Sequence, residues 1–402
     1  MKYDFTTVYD RAGHDSIAVE GLGTGGSAPE PPKEGWDAIP MWIADMSFPT
    51  CPTITEAMIK RLQHPLLGYF PTPDAYYNAI IDWQTRRNGV SGLTKDHIGY
   101  ENGVLGGVVT AMNVLCSKGD HVLVHSPTYV GFTGSLGSNG YKIVHSPLVL
   151  DENGVWRMNF ADMEEKIVNN RIHAMVFCNP HNPTGRVWER WELEQVAELC
   201  RKHEVYIISD EIWSDIILDG YTHIPMQSVS DDARNRTIAL YAPSKTFNLA
   251  GLVGSYHIIY NQWLKDRMDK QSGLCHYNSM NVLSMHALMA AYKEDGHEWV
   301  DELRHVLTEN AKYACDYIRT HFDGVTVADP QGTYMLFIDC TEWCRKHGKG
   351  LSELLKAGWD VGVGWQDGRR FHGPCHIRMN LSLPMSLLQE ALDRLTKYVF
   401  VD

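Results

Sequence analysis

A chain of 402 residues has room for one large domain and a smaller one, each with its own core. Its 36 Lys and Arg stand against 49 Asp and Glu, a formal charge of −13 that argues against unaided binding to nucleic acid or anionic lipid. No apolar run approaches the roughly 20 residues needed to cross a bilayer, and the opening M-K-Y-D-F-T-T-V has no signal-peptide core, so a cytoplasmic protein with a small-molecule partner is expected.

Residues 21–35, G-L-G-T-G-G-S-A-P-E-P-P-K-E-G, read as an irregular surface loop. A short apolar segment, Ile39 to Met46, leads through Pro49 and Pro52 into a helix expected over about 54–64. In L-L-G-Y-F-P-T-P-D the glycine and prolines force a turn with Tyr69 and Phe70 at its tip, and Asp74 then reads as the N-cap of a helix running to about Arg87. From His97 the order is strand, glycine turn, helix, in H-I-G-Y-E-N-G-V-L-G-G-V-V-T. Such a turn bares amides at a helix N-terminus that attract an anion such as phosphate, while plain packing is the commoner reason for glycines there.

Short apolar runs follow: D-H-V-L-V-H, Y-K-I-V-H, H-A-M-V-F-C-N-P, V-Y-I-I-S-D, T-I-A-L-Y-A-P and Y-H-I-I-Y, several separated by amphipathic stretches such as W-E-L-E-Q-V-A-E-L-C-R-K-H. Alternation of this kind predicts an α/β fold with a largely parallel sheet between helices, whose ligands sit beyond the carboxyl ends of the strands. Polar residues gather at those ends, at Ser126 to Tyr129, Asn179 to Gly185, Asp210 with Glu211, and Ser244 with Lys245. After about Gly296 a smaller α+β unit is expected, with a helix over Glu298–Phe322, strands in G-V-T-V-A-D, Y-M-L-F-I-D and H-I-R-M-N-L, and helices near Ser352–Ala357 and from Met385. The expected division is a large domain over residues 49–295 and a small one formed by both termini, 1–48 and 296–402. The nine cysteines, Cys178, Cys200 and Cys315 among them, suit reduced core thiols better than a disulfide framework. Cys340 and Cys344 would share a helical face, but nothing accompanies them to complete a metal site, and none is expected.

Lys245 is the residue hardest to explain as structure, because a lysine after an apolar strand loses hydration unless it reaches back to solvent. The alternative is a desolvated, nucleophilic amine that joins a carbonyl cofactor. Asp210, emerging from a buried strand, needs a cation, a helix cap or a protonated pyridine nitrogen. In C-N-P-H-N-P-T-G-R-V-W, the prolines and Gly185 fix where the Asn182 amide points, although the same residues make an ordinary turn.

Taken in order, D-R-A-G-H-D-S, M-W-I-A-D-M, G-Y-F-P-T, S-P-T-Y-V-G-F, N-P-H-N-P-T-G-R-V-W, S-D-E-I-W-S-D-I, A-P-S-K-T-F-N-L-A-G-L and I-R-M-N-L-S-L-P span nearly the whole chain. Together they resemble the fold-type I pyridoxal-phosphate enzymes of the class I/II aminotransferase superfamily, and within it the cystathionine β-lyase/cystalysin group of C–S lyases. The resemblance implies a mostly parallel seven-stranded sheet and a pyridoxal 5′-phosphate cofactor bound to Lys245, whose freed amine then removes the substrate α-proton. It implies Asp210 on the pyridine nitrogen, Asn182 on the ring hydroxylate, Tyr129 stacked on the ring, and Gly103, Val104, Leu105 and Ser244 around the phosphate. Tyr69 would reach the phosphate of a neighbouring subunit, giving a homodimer with shared sites. Arg378 would grip the substrate carboxylate, with Ile43, Ala44 and Asn182 near the substrate and Trp42, Ile43, Tyr129 and Trp213 walling its pocket.

Two positions depart from the pattern. Trp213 stands where the C–S lyases usually carry histidine and aspartate aminotransferases a tyrosine, and Ser47 replaces an aspartate common in the group. The activity implied is β-elimination from L-cystathionine or related cysteine conjugates to a thiol, pyruvate and ammonia. An aminotransferase is the alternative, and a regulator that keeps the fold and cofactor is a third reading.

Overall fold

The computed structural model describes residues 1–275 and 278–401. Its centre is a sheet of seven strands: β1 (Ile98–Asn102), β2 (His121–Ser126), β3 (Lys142–Pro147), β4 (Ala174–Cys178), β5 (Tyr206–Asp210), β6 (Thr237–Tyr241) and β7 (Gly254–Ile258). The spatial order is β1-β7-β6-β5-β4-β2-β3. β7 runs antiparallel to both of its neighbours, β1 and β6, and every other pair is parallel. This is the α/β fold with a mostly parallel sheet that the alternation predicts.

β4 and β6 are buried at every residue, which is why they read as unbroken apolar runs. Successive side chains serve opposite faces. Val122, Val124, Val176 and Ile208 pack with Val108 and Met112 of the Val104–Leu115 helix, whereas Leu123, Met175 and Ile207 pack with Leu193 and Val196 of the Arg190–Lys202 helix. Burial on both faces leaves the strand ends as the place where polar groups can meet a ligand.

A second, antiparallel sheet has β8 (Thr326–Val327), β9 (Met335–Asp339), β10 (Gln366–Asp367) and β11 (His376–Asn380) in the order β8-β9-β11-β10. Ile39–Pro40 pairs in parallel with Val363–Gly364, so the N-terminal segment lies against the C-terminal part of the chain.

Several boundaries differ from those read in the sequence. The first helix is Pro52–Leu62, with a proline in its opening turn where a missing N–H does no harm. The next is Asp74–Asn88, capped by Pro73 and not by Asp74, whose carboxylate sits in the first turn, where it suits the helix dipole. β7 begins two residues before the Y-H-I-I-Y run, and the long helix of the C-terminal part is Glu294–His321. Lys245 lies in a single helical turn, Pro243–Thr246, that follows β6. Cys178, Cys200 and Cys315 are buried and free. Among the described residues no helix is long and apolar enough to cross a membrane, and no group of His, Cys, Asp and Glu is arranged to hold a metal ion.

Candidate active site

The carboxyl ends of β1, β4, β5 and β6 and the start of β7 open on one cavity of about 260 Å³. Gly103, Val104, Leu105, Tyr129, Asn182, Asp210, Trp213, Ser244, Lys245 and Ala44 all line it, so the structure brings together most of the residues singled out in the sequence. A larger cleft of about 400 Å³ opens near His223 and Tyr260, but it holds no lysine or aspartate of this kind.

Gly103 opens the cradle at one side. Its φ of 80° with ψ of 149° is a conformation open essentially to glycine alone, and it turns the chain from β1 into the Val104–Leu115 helix. No side chain caps that helix, so the amides of its first turn are left for an anion. Tyr129 precedes the Val130–Ser138 helix. A Cβ at Gly131 would lie 2.3 Å from the Tyr129 ring and 2.8 Å from Leu105, so the absence of a side chain there lets the ring lie close.

Lys245 Nζ donates to the Ala44 carbonyl at 2.9 Å and sits 6.0 Å from the centre of the Trp213 ring. Burial, reinforced by Arg378, brings its pKa down to about 8, against the pull of Asp45 and Asp210. Asp210, at the end of β5, is pushed up to about 7 by burial and to a smaller degree by Glu211, although its Oδ1 accepts the Ile212 N–H at 3.1 Å. A lysine drawn toward neutrality and a carboxyl drawn toward protonation share one enclosure, each short of a counter-charge.

Arg378 is 3% exposed and lies on β11. It donates to the Trp42 carbonyl (2.9 Å), Gln366 Oε1 (2.6 Å) and Asn182 Oδ1 (3.2 Å), and its plane lies 4.3 Å from the Phe371 ring centre. Its Nε has no partner, and no carboxylate among the described residues pairs with it. Burial brings its pKa down to about 10. Arg378 is not among the residues that line the cavity but bonds to Asn182, which is, and a buried guanidinium held by neutral oxygens could pair with a small carboxylate.

Other expectations fare differently. Trp42 and Ile43 do not line the cavity. They serve through their backbones, because Arg378 takes the carbonyl of Trp42, and Asn380 that of Ile43 at 2.7 Å. Irregular backbone over 41–46 obeys no periodicity from which side-chain direction could be read. Tyr69 is fully exposed on its own chain, away from the cavity. Ser47 Oγ accepts from Arg11, which is also paired with Asp45 at 2.7 Å. Cys178, Ile212, Ala242, Ala250, Val253 and Gly254 line the cavity without having been singled out, and Tyr334 lies edge-on to Trp213 at 4.7 Å. Cys178, Ile212, Ala242 and Ala250 lie within or beside the strand-end motifs, and Val253 and Gly254 directly follow the last of them.

The chain belongs to the aminotransferase class I and II family, whose model matches residues 37–395. It is 32% identical over 362 residues to cystathionine beta-lyase PatB of Bacillus subtilis, covering 89% of this chain and 92% of that protein. Protein MalY of Escherichia coli is 30% identical over 401 residues, covering 97% of each. The solved structure of a PLP-bound C–S lyase from Staphylococcus hominis superposes with a TM-score of 0.89 at 29% identity, over 100% of this chain and 99% of that one.

Proposed function

We propose that this protein is a pyridoxal 5′-phosphate-dependent carbon–sulfur lyase, acting on L-cystathionine or a related cysteine S-conjugate. The observation that carries the reading is a set of unmet needs: an amine, an acid without a cation and an uncapped helix N-terminus around one cavity, and, bonded to Asn182 of its lining, a guanidinium without a carboxylate. A phosphorylated pyridine aldehyde together with an amino acid answers all four. The C–S lyase function of the relatives favours elimination at sulfur among the reactions this cofactor permits.

Once bound, the cofactor supplies an aldehyde to amines and a ring that takes up the electron pair left by the α-proton. Lys245 would hold it covalently, and the Lys245 Nζ, once free, would be the base that accepts the α-proton. Asp210, whose pKa burial raises, would be drawn to its ionised form by the ring nitrogen and would keep that nitrogen protonated. Gly103, Val104, Leu105 and Ser244 would hold the phosphate, and Tyr129 would pack on the ring. Asn182 has its Oδ1 engaged by Arg378, which leaves its N–H groups as donors to the ring oxygen. Trp213 offers one indole donor where a histidine offers either ring nitrogen. Arg378 orients the substrate α-carboxylate, with Ala44 beside it. Loss of the β-thiolate then yields, with water, a thiol, pyruvate and ammonia.

Tyr69, fully exposed beside Leu66 and Leu67, is assigned to the phosphate of a second subunit, giving a homodimer with shared sites. A division into a large domain over residues 49–295 and a small one over 1–48 with 296–402 is the reading we favour, supported by the seven strands falling within 98–258 and the four within 326–380. Adding L-cystathionine to the holoenzyme should release pyruvate and homocysteine. If no β-thio amino acid yields pyruvate while a keto acid sustains turnover, the protein is an aminotransferase, the second reading its family supports.

A further inference from the structure

Asp215 does not line the cavity, yet it ties the turn that follows Asp210 and carries Trp213 to the helical turn carrying Lys245. Its carboxylate is buried. Oδ2 accepts from Thr246 Oγ1 at 2.9 Å, and Oδ1 from Trp83 Nε1 at 3.0 Å. Trp83 belongs to the Asp74–Asn88 helix and is locked by stacking on Tyr292 at 4.4 Å and His297 at 4.3 Å. The nearest cation, Arg87, is 4.0 Å from Asp215 and is itself held by Asp301 at 2.9 Å.

The Pro243–Thr246 turn is four residues long, too short to hold its own geometry, so tethers to its surroundings set the direction of Lys245. Two side-chain hydrogen bonds tether it: Lys245 to the Ala44 carbonyl and Thr246 to Asp215. The first is given up whenever the Lys245 amine engages a ligand. The second remains, and a bond to a buried carboxylate is among the stronger ones a hydroxyl can make.

We propose that Asp215 is a positioning residue, acting through Thr246 to fix the line along which the Lys245 amine approaches the reacting carbon. This rests on the reading that Lys245 carries the cofactor. Loosening the tether lets water reach Nζ and relieves the burial that, with Arg378, lowers its pKa against Asp45 and Asp210.

The test compares wild-type, Thr246→Val and Thr246→Ser holoenzymes. Valine keeps the shape without the hydroxyl, and serine restores the hydroxyl. In Thr246→Val, kcat per bound cofactor should fall about tenfold while KM, set by Arg378, changes less than about twofold. The midpoint of the pH titration of the visible absorbance of the lysine-linked cofactor should rise by roughly 0.5 pH or more. Thr246→Ser should return both to wild type, which a merely space-filling role for Thr246 would not require. Unchanged kcat and midpoint in Thr246→Val, or a Thr246→Ser protein as impaired as Thr246→Val, overturns the proposal. Should Thr246→Val fail to fold, Thr246→Ala decides in its place: it lacks the hydroxyl and demands no extra space, it should shift the midpoint in the same direction, and an unshifted midpoint refutes the role. A wild-type protein that takes up no pyridoxal 5′-phosphate removes the underlying reading instead, whereas wild-type uptake with indifferent variants removes only this one.

Discussion

Replacing Asp210 by asparagine should make the cofactor-free protein more stable while ruining the enzyme. The carboxyl is 3% exposed, and burial raises its pKa from the usual 3.8 to about 7. A folded-state pKa above the unfolded one means that the native protein binds the extra proton more tightly. The stability this gives is fully present below about pH 4 and is lost as the pH rises through about 7. At about 1.36 kcal/mol per pKa unit, the rise corresponds to a ceiling of about 4 kcal/mol, which local relaxation and water entry reduce to roughly 1–3 kcal/mol. Asparagine has nothing to ionise and can still accept the Ile212 N–H. Urea denaturation of the two cofactor-free proteins at pH 5 and pH 8 measures the difference. Asp210→Asn should gain on wild type by roughly 1–3 kcal/mol between the two pH values, and kcat of the reconstituted variant should fall by about 10²-fold or more, because the ring nitrogen loses its anionic partner. A stability difference that is flat with pH, or that favours wild type more at pH 8 than at pH 5, refutes the claim that Asp210 is held short of a cation.

Lys245, lowered to about 8, attacks as the free amine, so the rate of pyridoxal 5′-phosphate uptake, followed by absorbance, should climb with pH and bend near 8. Lys245→Ala should show no covalent uptake, with mass spectrometry after borohydride as the check. Arg378→Lys replaces a fork held by three oxygens with a point charge and should lower kcat/KM by about 10²-fold, mainly through KM, as initial rates against substrate concentration would reveal. Gly103→Ala forces a side chain into a backbone conformation it resists, so roughly 1–3 kcal/mol of strain and faster phosphate-end release are expected, read from the cofactor dissociation rate during dialysis.

The parts of the site that the sequence made legible sit at the ends of strands buried on both faces. There the apolar run stops abruptly, and Asp210, Asn182 and Lys245 stand out against it. The parts that were missed come from chain segments with no period to read. Trp42 and Ile43, read as walls of the substrate pocket, do not line the cavity and present carbonyls to Arg378 and Asn380, because backbone outside helix and strand does not alternate. Tyr334 and the Asp215 to Thr246 bond depend on how distant elements pack, and no local pattern in Q-G-T-Y or W-S-D-I announces either contact. Asp74 satisfied the composition of a cap, yet Pro73, whose own φ is preset, took the capping position.

Arg378 belongs to the four-stranded sheet, whereas Lys245 follows a strand of the seven-stranded one, and few direct bonds, such as Arg378 to Asn182 and the Thr128 N–H to the Phe371 carbonyl, stitch the two together at that point. On the proposed function, an amino acid held at its carboxylate by Arg378 and joined at its amine to the cofactor would act as a rivet across the seam. A substitution at Phe371, whose ring packs on Arg378, would then be expected to change the rate of product release without touching the bond that breaks.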